Sequence, residues 1–140
     1  MARIDVAAAA AAKAGDELPG RVVGPLTRMD FARFSVATDD PNRVHVEEEV
    51  AAAAGFPHVI GSGGIVTGVL TDVVTAWAGL EAVTSGSTRM FAPLFPGVTL
   101  RASGSVTGRD DNGNLTVHVV VDDEAGTRVG EGTFAVRQMS

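Results

Sequence analysis

Two aspartates precede a proline and one histidine follows it in the segment DDPNRVH at 39–45. The chain has three histidines, and a histidine beside a carboxylate can accept and release protons near neutral pH. In a helix, the spacing of Asp40 and His45 would set their side chains about 140° apart, too far to act together. Pro41 disfavours that helix, because it biases Asp40 away from helical angles. In a turn, both side chains can face one cavity.

Asp40 and His45 are therefore candidate catalytic residues for acid/base chemistry. Asn42 lies between them and can hydrogen-bond its own backbone, so we interpret it as the residue that orients the turn. A solvent-exposed surface turn is the alternative. A metal site is disfavoured, because a calcium loop would need an oxygen ligand at Val44 and zinc would find only His58 nearby.

A second candidate element is the glycine-rich string IGSGGIV at 60–66. Glycines let a backbone approach a ligand closely, and N–H groups at the start of a helix favour negative charge. A dinucleotide loop is excluded because Val66 replaces its last glycine, and a nucleophile elbow because Ile60 replaces its first. An oxyanion hole remains, with a glycine-rich packing turn as the alternative.

Helices must position both elements. Thr27 is a good N-cap for a helix of about ten residues, and a short helix over EEEVAAAAG should end before Gly55. A long helix is predicted from Gly63 to Gly79. One of its faces is apolar (Ile65, Val66, Val69, Leu70, Val73, Val74, Trp77) and the other is small or mildly polar (Thr67, Gly68, Thr71, Asp72, Thr75, Ala78).

Strand patterns dominate the rest of the chain. A short strand is predicted at Arg21 to Leu26, and alternation with a period of two runs from Ser87 onward. Hairpin turns are predicted at Asn112-Gly113 and at 123–126. These elements predict an α+β fold, with an antiparallel sheet of four or five strands curled around the long helix. The small-residue face then needs cover from the short helices or from a second subunit.

Composition limits the possible partners. The chain has 140 residues, a net charge of −6 and a pI near 4.9, which argue for one domain and against a surface for nucleic acid or anionic membranes. It has no cysteine, and no segment is predicted to span a membrane. We expect a cytoplasmic protein, with a flexible Ala-rich leader over 1–14 and one domain over 15–140.

The segment ATDDPNRVHVEEEVAAAAGFPHVIGSGGIVTGVL resembles the MaoC-like hydratase group of the hot-dog fold. That group carries S-G-D-x-N-P-x-H, then A-x-x-x-G-F, then I-x-H-G at the start of its central helix. Asp40, Asn42 and His45 match the first motif, and Gly63 matches the last glycine. The stretches AGDELPG and RMFAPLFPGVTLRASGSV are similar to two further segments of the group. The resemblance therefore runs from about Gly15 to the end of the chain.

The chain departs from the pattern where Arg43 replaces a proline, where Ser62 replaces a histidine, and where Val98-Thr99 replace the usual Gly-Asp. Ser62 could alter the glycine turn or the mouth of an acyl channel. None of these changes removes a residue that the chemistry of the group requires.

The resemblance implies reversible hydration of trans-2-enoyl thioesters to (R)-3-hydroxyacyl thioesters. Asp40 and His45 would activate water, and the Gly63 N–H would form the oxyanion hole. No metal or redox cofactor is implied. The substrate carrier would be coenzyme A or acyl carrier protein. Candidate substrate-binding residues are Ser62, Gly64, Arg43 and Arg89, with Arg128 a further arginine that could meet a phosphate.

Two other functions fit the same scaffold. A hot-dog thioesterase would also use a carboxylate and a backbone donor, but would not need the Asp40 and His45 pair. A non-catalytic or obligate heteromeric dehydratase subunit would commonly lack that pair. Because an isolated chain would expose a sheet edge, we expect a homodimer or a higher homo-oligomer, with a heterodimer as the alternative.

Overall fold

The computed structural model describes residues 6–138 and contains one five-stranded antiparallel sheet in the order β1-β3-β4-β5-β2. The strands are β1 (Glu17–Val23), β2 (Val83–Met90), β3 (Leu100–Arg109), β4 (Leu115–Asp122) and β5 (Arg128–Val136). The helices are α1 (Val6–Ala11), α2 (Arg28–Ala37), α3 (Glu48–Ala53) and α4 (Gly63–Ala78). The α+β arrangement of a sheet and one long helix is confirmed.

Helix α4 lies against all five strands and supplies the centre of the core. Its predicted apolar face is buried, and it meets the alternate inward residues of β4, which are Leu115, Val117, Val119 and Val121. On the other face, Thr67 and Gly68 are exposed, and Thr71 and Thr75 are half-buried. Helices α2 and α3 therefore leave much of the small-residue face open.

Helix α2 begins where its capping residues require. The Asp30 carboxylate accepts from the Thr27 N–H at 2.7 Å, and the Thr27 hydroxyl accepts from the Asp30 N–H at 3.1 Å. This reciprocal pair satisfies N–H groups that the first turn of a helix leaves unpaired. The hydrogen bonds that the Thr27 N–H and the Thr27 hydroxyl donate to the carboxylate lower the pKa of Asp30. The predicted start of this helix is confirmed.

The first residues of the described chain pack against the core. Ala9 and Ala12 are buried, and the Arg109 guanidinium donates to the carbonyls of Ala10 and Ala12 at 3.0 and 2.8 Å. The flexible leader over 1–14 and the boundary at residue 15 stay predictions, and residues 1–5 lie outside the described part of the chain. None of the helices within 6–138 is long and apolar enough to cross a membrane.

Both edge strands differ from their predicted limits. Strand β1 begins at Glu17 rather than Arg21, and it contains Pro19 beside a register shift. An edge strand tolerates proline, because one side of its backbone donates no ladder hydrogen bond. Strand β2 begins at Val83, four residues before the predicted alternation, because its exposed small residues carry no apolar period.

Candidate active site

The end of helix α2 places Asp40. The Asp40 N–H donates to the Ser35 carbonyl at 2.9 Å, and the Asp39 N–H donates to the Val36 carbonyl at 3.3 Å. This pair of bonds is the Schellman arrangement, which requires a left-handed residue just after the helix. Asp39 takes that conformation with φ of 52°. The helix end thus turns the chain sharply and fixes the backbone of Asp40.

Asn42 connects Asp40 to His45. The Asp40 Oδ1 accepts from the Asn42 backbone N–H at 3.1 Å, and the Asn42 Oδ1 accepts from the Val44 N–H at 3.2 Å. The second bond caps a 3₁₀ turn over Arg43–His45. Asn42 therefore has the local geometry of an orienting residue.

The side chains of the two candidate catalytic residues, Asp40 and His45, are in contact. The His45 Nε2 lies 3.2 Å from the Asp40 Oδ2, with the His45 side chain 9% exposed and the Asp40 side chain 30% exposed. The other ring nitrogen, Nδ1, lies 2.7 Å from the Ile60 carbonyl oxygen. A carbonyl only accepts, so Nδ1 carries a proton. A hydrogen bond between Nε2 and Asp40 then needs one proton, carried by either partner.

A glycine-rich turn follows Ile60 and is held against α2. The Ile60 N–H donates to the Val44 carbonyl at 3.3 Å, and the Gly61 N–H donates to the Leu94 carbonyl at 2.8 Å. A Cβ on Gly61 would lie 2.9 Å from the Phe31 ring, and one on Gly64 would lie 3.0 Å from the Phe34 ring. Two glycines of the string thus allow α2 to pack closely on the turn.

Gly63 has a free N–H group. Ser62 is the N-cap of α4, and its hydroxyl accepts from the Gly64 N–H at 3.2 Å while its carbonyl accepts from Ile65 at 3.0 Å. Within residues 6–138, the Gly63 N–H meets no acceptor. Three residues span at most about 10 Å, so this donor stays near the Ile60 carbonyl that holds His45. Such a donor at a helix start suits an oxyanion.

The candidate substrate-binding residues fall into two groups. Ser62 and Gly64 make the cap and packing contacts described above. Arg43 is exposed and pairs with Glu47, with its Nε 2.6 Å from the Glu47 Oε1, and this hydrogen bond raises the pKa of Arg43. Arg89 is exposed and lies 5.4 Å above the Phe91 ring, with no carboxylate partner in the part of the chain described. Their roles in binding stay predictions.

Two contacts at the site have no signal in the sequence. The Ile60 carbonyl, which fixes the protonated nitrogen of His45, is a backbone group separated from it by fifteen residues. Met90 lies against Gly63, with its Sδ 3.4 Å from the place of a Gly63 Cβ. Among residues 6–138, no three His, Asp or Glu side chains group to hold a metal ion.

Comparisons with known proteins identify the family of the chain. The chain is similar to a subunit of the ChsH1–ChsH2 complex from Mycobacterium tuberculosis, at 26% identity and a TM-score of 0.80, covering 90% of this chain and 98% of that one. A MaoC-like dehydratase matches at 29% identity and a TM-score of 0.85, over 94% of this chain but 42% of that one.

The R-hydratase PhaJ1 from Pseudomonas aeruginosa shares the fold at 19% identity and a TM-score of 0.80, covering 92% of this chain and 83% of that one. No curated protein sequence matches the chain. The family model described as MaoC like domain matches residues 9–129, which include the Asp40 turn, the glycine-rich turn and all of α4. The chain belongs to the MaoC-like dehydratase family and has its hot-dog fold.

Proposed function

We propose that this protein is a hydro-lyase that adds water reversibly to trans-2-enoyl thioesters and forms (R)-3-hydroxyacyl thioesters. Its family membership supports the reaction class. The observation that carries the proposal is the 3.2 Å contact between His45 and Asp40, tied through the Ile60 carbonyl to the turn that presents the free Gly63 N–H. Acid/base groups and an oxyanion donor are the two requirements of this chemistry.

In the proposed mechanism, one proton carried by either Asp40 or His45 serves both halves of the reaction. Hydration forms a bond between the water oxygen and C3, and the water proton passes to the pair. The electron pair of the C2–C3 double bond moves towards the carbonyl. The Asp40–His45 pair then returns one proton to C2. The pair ends with the proton count with which it began, so dehydration runs by the reverse steps without further groups.

The Gly63 N–H would stabilise the enolate between these steps. As the water attacks C3, negative charge grows on the thioester oxygen, and a donor fixed at a helix start meets it without rearrangement. One donor of this kind is typically worth about 3–4 kcal/mol in the transition state. Neither a metal nor a redox cofactor enters this sequence of steps.

The carrier of the acyl group is coenzyme A or acyl carrier protein. Of the three candidate arginines, Arg89 is the one without a carboxylate partner among residues 6–138, since Arg43 pairs with Glu47 and Arg128 lies 2.5 Å from Asp122. We expect the protein to act in the cytoplasm as a homodimer or a higher homo-oligomer. A heteromer is the alternative, and two of the similar structures are described as the ChsH1–ChsH2 and HadBC complexes.

Incubation of the purified protein with a short 2-enoyl-CoA tests the proposal. Loss of the enoyl absorbance without release of free thiol is the expected result. Release of thiol would identify a thioesterase instead. If neither signal changes until a sister hot-dog chain is added, the protein is an obligate heteromeric subunit and the homo-oligomeric enzyme is rejected.

A further inference from the structure

Met90 is a large apolar side chain beside the free Gly63 N–H. It is the last residue of β2 and is 40% exposed. Its Sδ would be in van der Waals contact with a Cβ on Gly63, at 3.4 Å. A thioether is polarisable and flexible, and it suits contact with soft apolar ligand atoms.

Met90 and α2 approach the start of α4 from different sides. Successive Cβ positions on a helix are about 100° apart. The Cβ position of Gly64 points to Phe34 on α2, whereas that of Gly63 points to Met90 on β2. Asp40 directly follows α2. The acid/base pair is therefore on the α2 side of the helix start and Met90 is on the β2 side.

A bound thioester must span these two sides. Its carbonyl oxygen is at the Gly63 N–H, and its C2 and C3 must face Asp40 and His45. The carbonyl carbon has three substituents, which are the oxygen, C2 and the sulfur. With the oxygen at the Gly63 N–H and C2 on the α2 side, the sulfur points away from α2 and towards β2. We propose that Met90 binds the thioester sulfur and the first carbons of the carrier arm, an inference that rests on the proposed function.

The position of Met90 is fixed by its strand. Thr88 and Met90 are two residues apart and face the same side of β2. The Thr88 hydroxyl lies 3.1 Å from the Thr67 hydroxyl on α4, so this side of β2 faces the helix. The alternation turns Arg89 to the opposite side, where it stacks on Phe91. Met90 is thus the β2 side chain presented to the helix start.

Met90→Ala tests the inference with saturated acyl-CoA ligands of four, six and eight acyl carbons, whose binding needs no turnover. The affinity should fall about tenfold, because most of an apolar contact is removed. Contact on the carrier side predicts the same fold-change for all three lengths. Met90→Leu, which keeps the volume, should retain most of the affinity.

Met29→Ala is the matched control, since Met29 is an exposed methionine on α2 and its removal should leave binding unchanged. A loss that grows with acyl length would place Met90 on the acyl side and overturn the inference, as would unchanged binding. Wild-type protein that binds acyl-CoA but does not hydrate enoyl-CoA would reject the proposed function alone. If Met90→Ala fails to fold, the Met90→Gln variant, which keeps the length but not the apolar character, should show the same uniform loss.

Discussion

The residues around Asp40 carry local free-energy costs. Asp39 adopts a left-handed conformation that costs a residue with a Cβ about 1–2 kcal/mol, although aspartate is among the side chains that tolerate it best. The motif of the MaoC-like group has glycine at this position. The Ser35 hydroxyl is buried without a hydrogen-bond partner among the described residues, which typically costs about 1–3 kcal/mol. Both residues hold the backbone that aims Asp40 at His45, so stability is lower where chemistry is proposed.

Gly63→Pro tests the oxyanion donor with little change to the helix. Proline is favoured at the first position of a helix, and Ser62 already has the extended angles that a following proline requires, with φ of −61° and ψ of 141°. The variant should fold but lose about 10²–10³-fold in kcat, because it lacks the N–H. The rate of enoyl-CoA hydration and the circular dichroism spectrum measure the two effects.

Gly63→Ala is the control for that variant, since it keeps the N–H and adds only a methyl group beside the flexible Met90 side chain. It should retain a kcat within about tenfold of the wild type. Equal loss in both variants would show that bulk, and not the missing donor, is responsible.

At the residue scale, types and spacing were enough to select Asp40, Asn42 and His45 as one group. Their contacts are local, because Pro41 and the Asx hydrogen bonds of Asp40 and Asn42 determine the turn within six residues. Which ring nitrogen of His45 carries a proton could not be predicted. The Ile60 carbonyl determines it, and tertiary packing brings that carbonyl to the ring.

At the scale of elements, the glycine-rich turn before α4 is where α2 packs closely against the start of α4. Gly61→Ala would place a Cβ 2.9 Å from the buried Phe31 ring and 3.1 Å from Leu94. We expect the free energy of unfolding to fall by about 1–3 kcal/mol, because neither neighbour has room to withdraw. Hydration activity should fall too, since the end of α2 positions Asp40. Chemical denaturation measures the first effect.

Gly108→Ala is the matched control on β3. Nothing lies within 4 Å of its Cβ position, and its φ is not positive. It should change stability by less than about 0.5 kcal/mol and leave activity intact. If Gly61→Ala also left both stability and hydration activity unchanged, the close packing of α2 on the turn would not matter for the site.

Elements with strong local signals were predicted well. Thr27 defines the start of α2, and the 3.6-residue period of apolar residues defines α4. The edge strands were predicted poorly, because their residues pack on one partner strand only. The sequence VTSG at 83–86 carries no alternation, and its strand character comes from pairing with β5.

At the scale of the whole molecule, β2 leaves one backbone edge unpaired, and the exposed Thr67 on α4 contacts this strand through the Thr88 hydroxyl at 3.1 Å. Exposed edge strands are usually protected by charge, proline or a partner. Arg89 is the one charged residue in β2, which contains no proline. We therefore predict a mass of at least twice 14.3 kDa by light scattering at micromolar concentration. A monomer at all concentrations would contradict this.

The most direct measurement of the central claim is the hydration rate of Asp40→Asn and His45→Gln with 2-enoyl-CoA. Each variant removes one member of the pair whose Nε2 and Oδ2 atoms lie 3.2 Å apart, while keeping the approximate size of the side chain. Both should lose hydration by at least about 10²-fold with an unchanged circular dichroism spectrum. Retention of most of the wild-type rate in either variant would contradict the account, because the pair could not then be the acid and base.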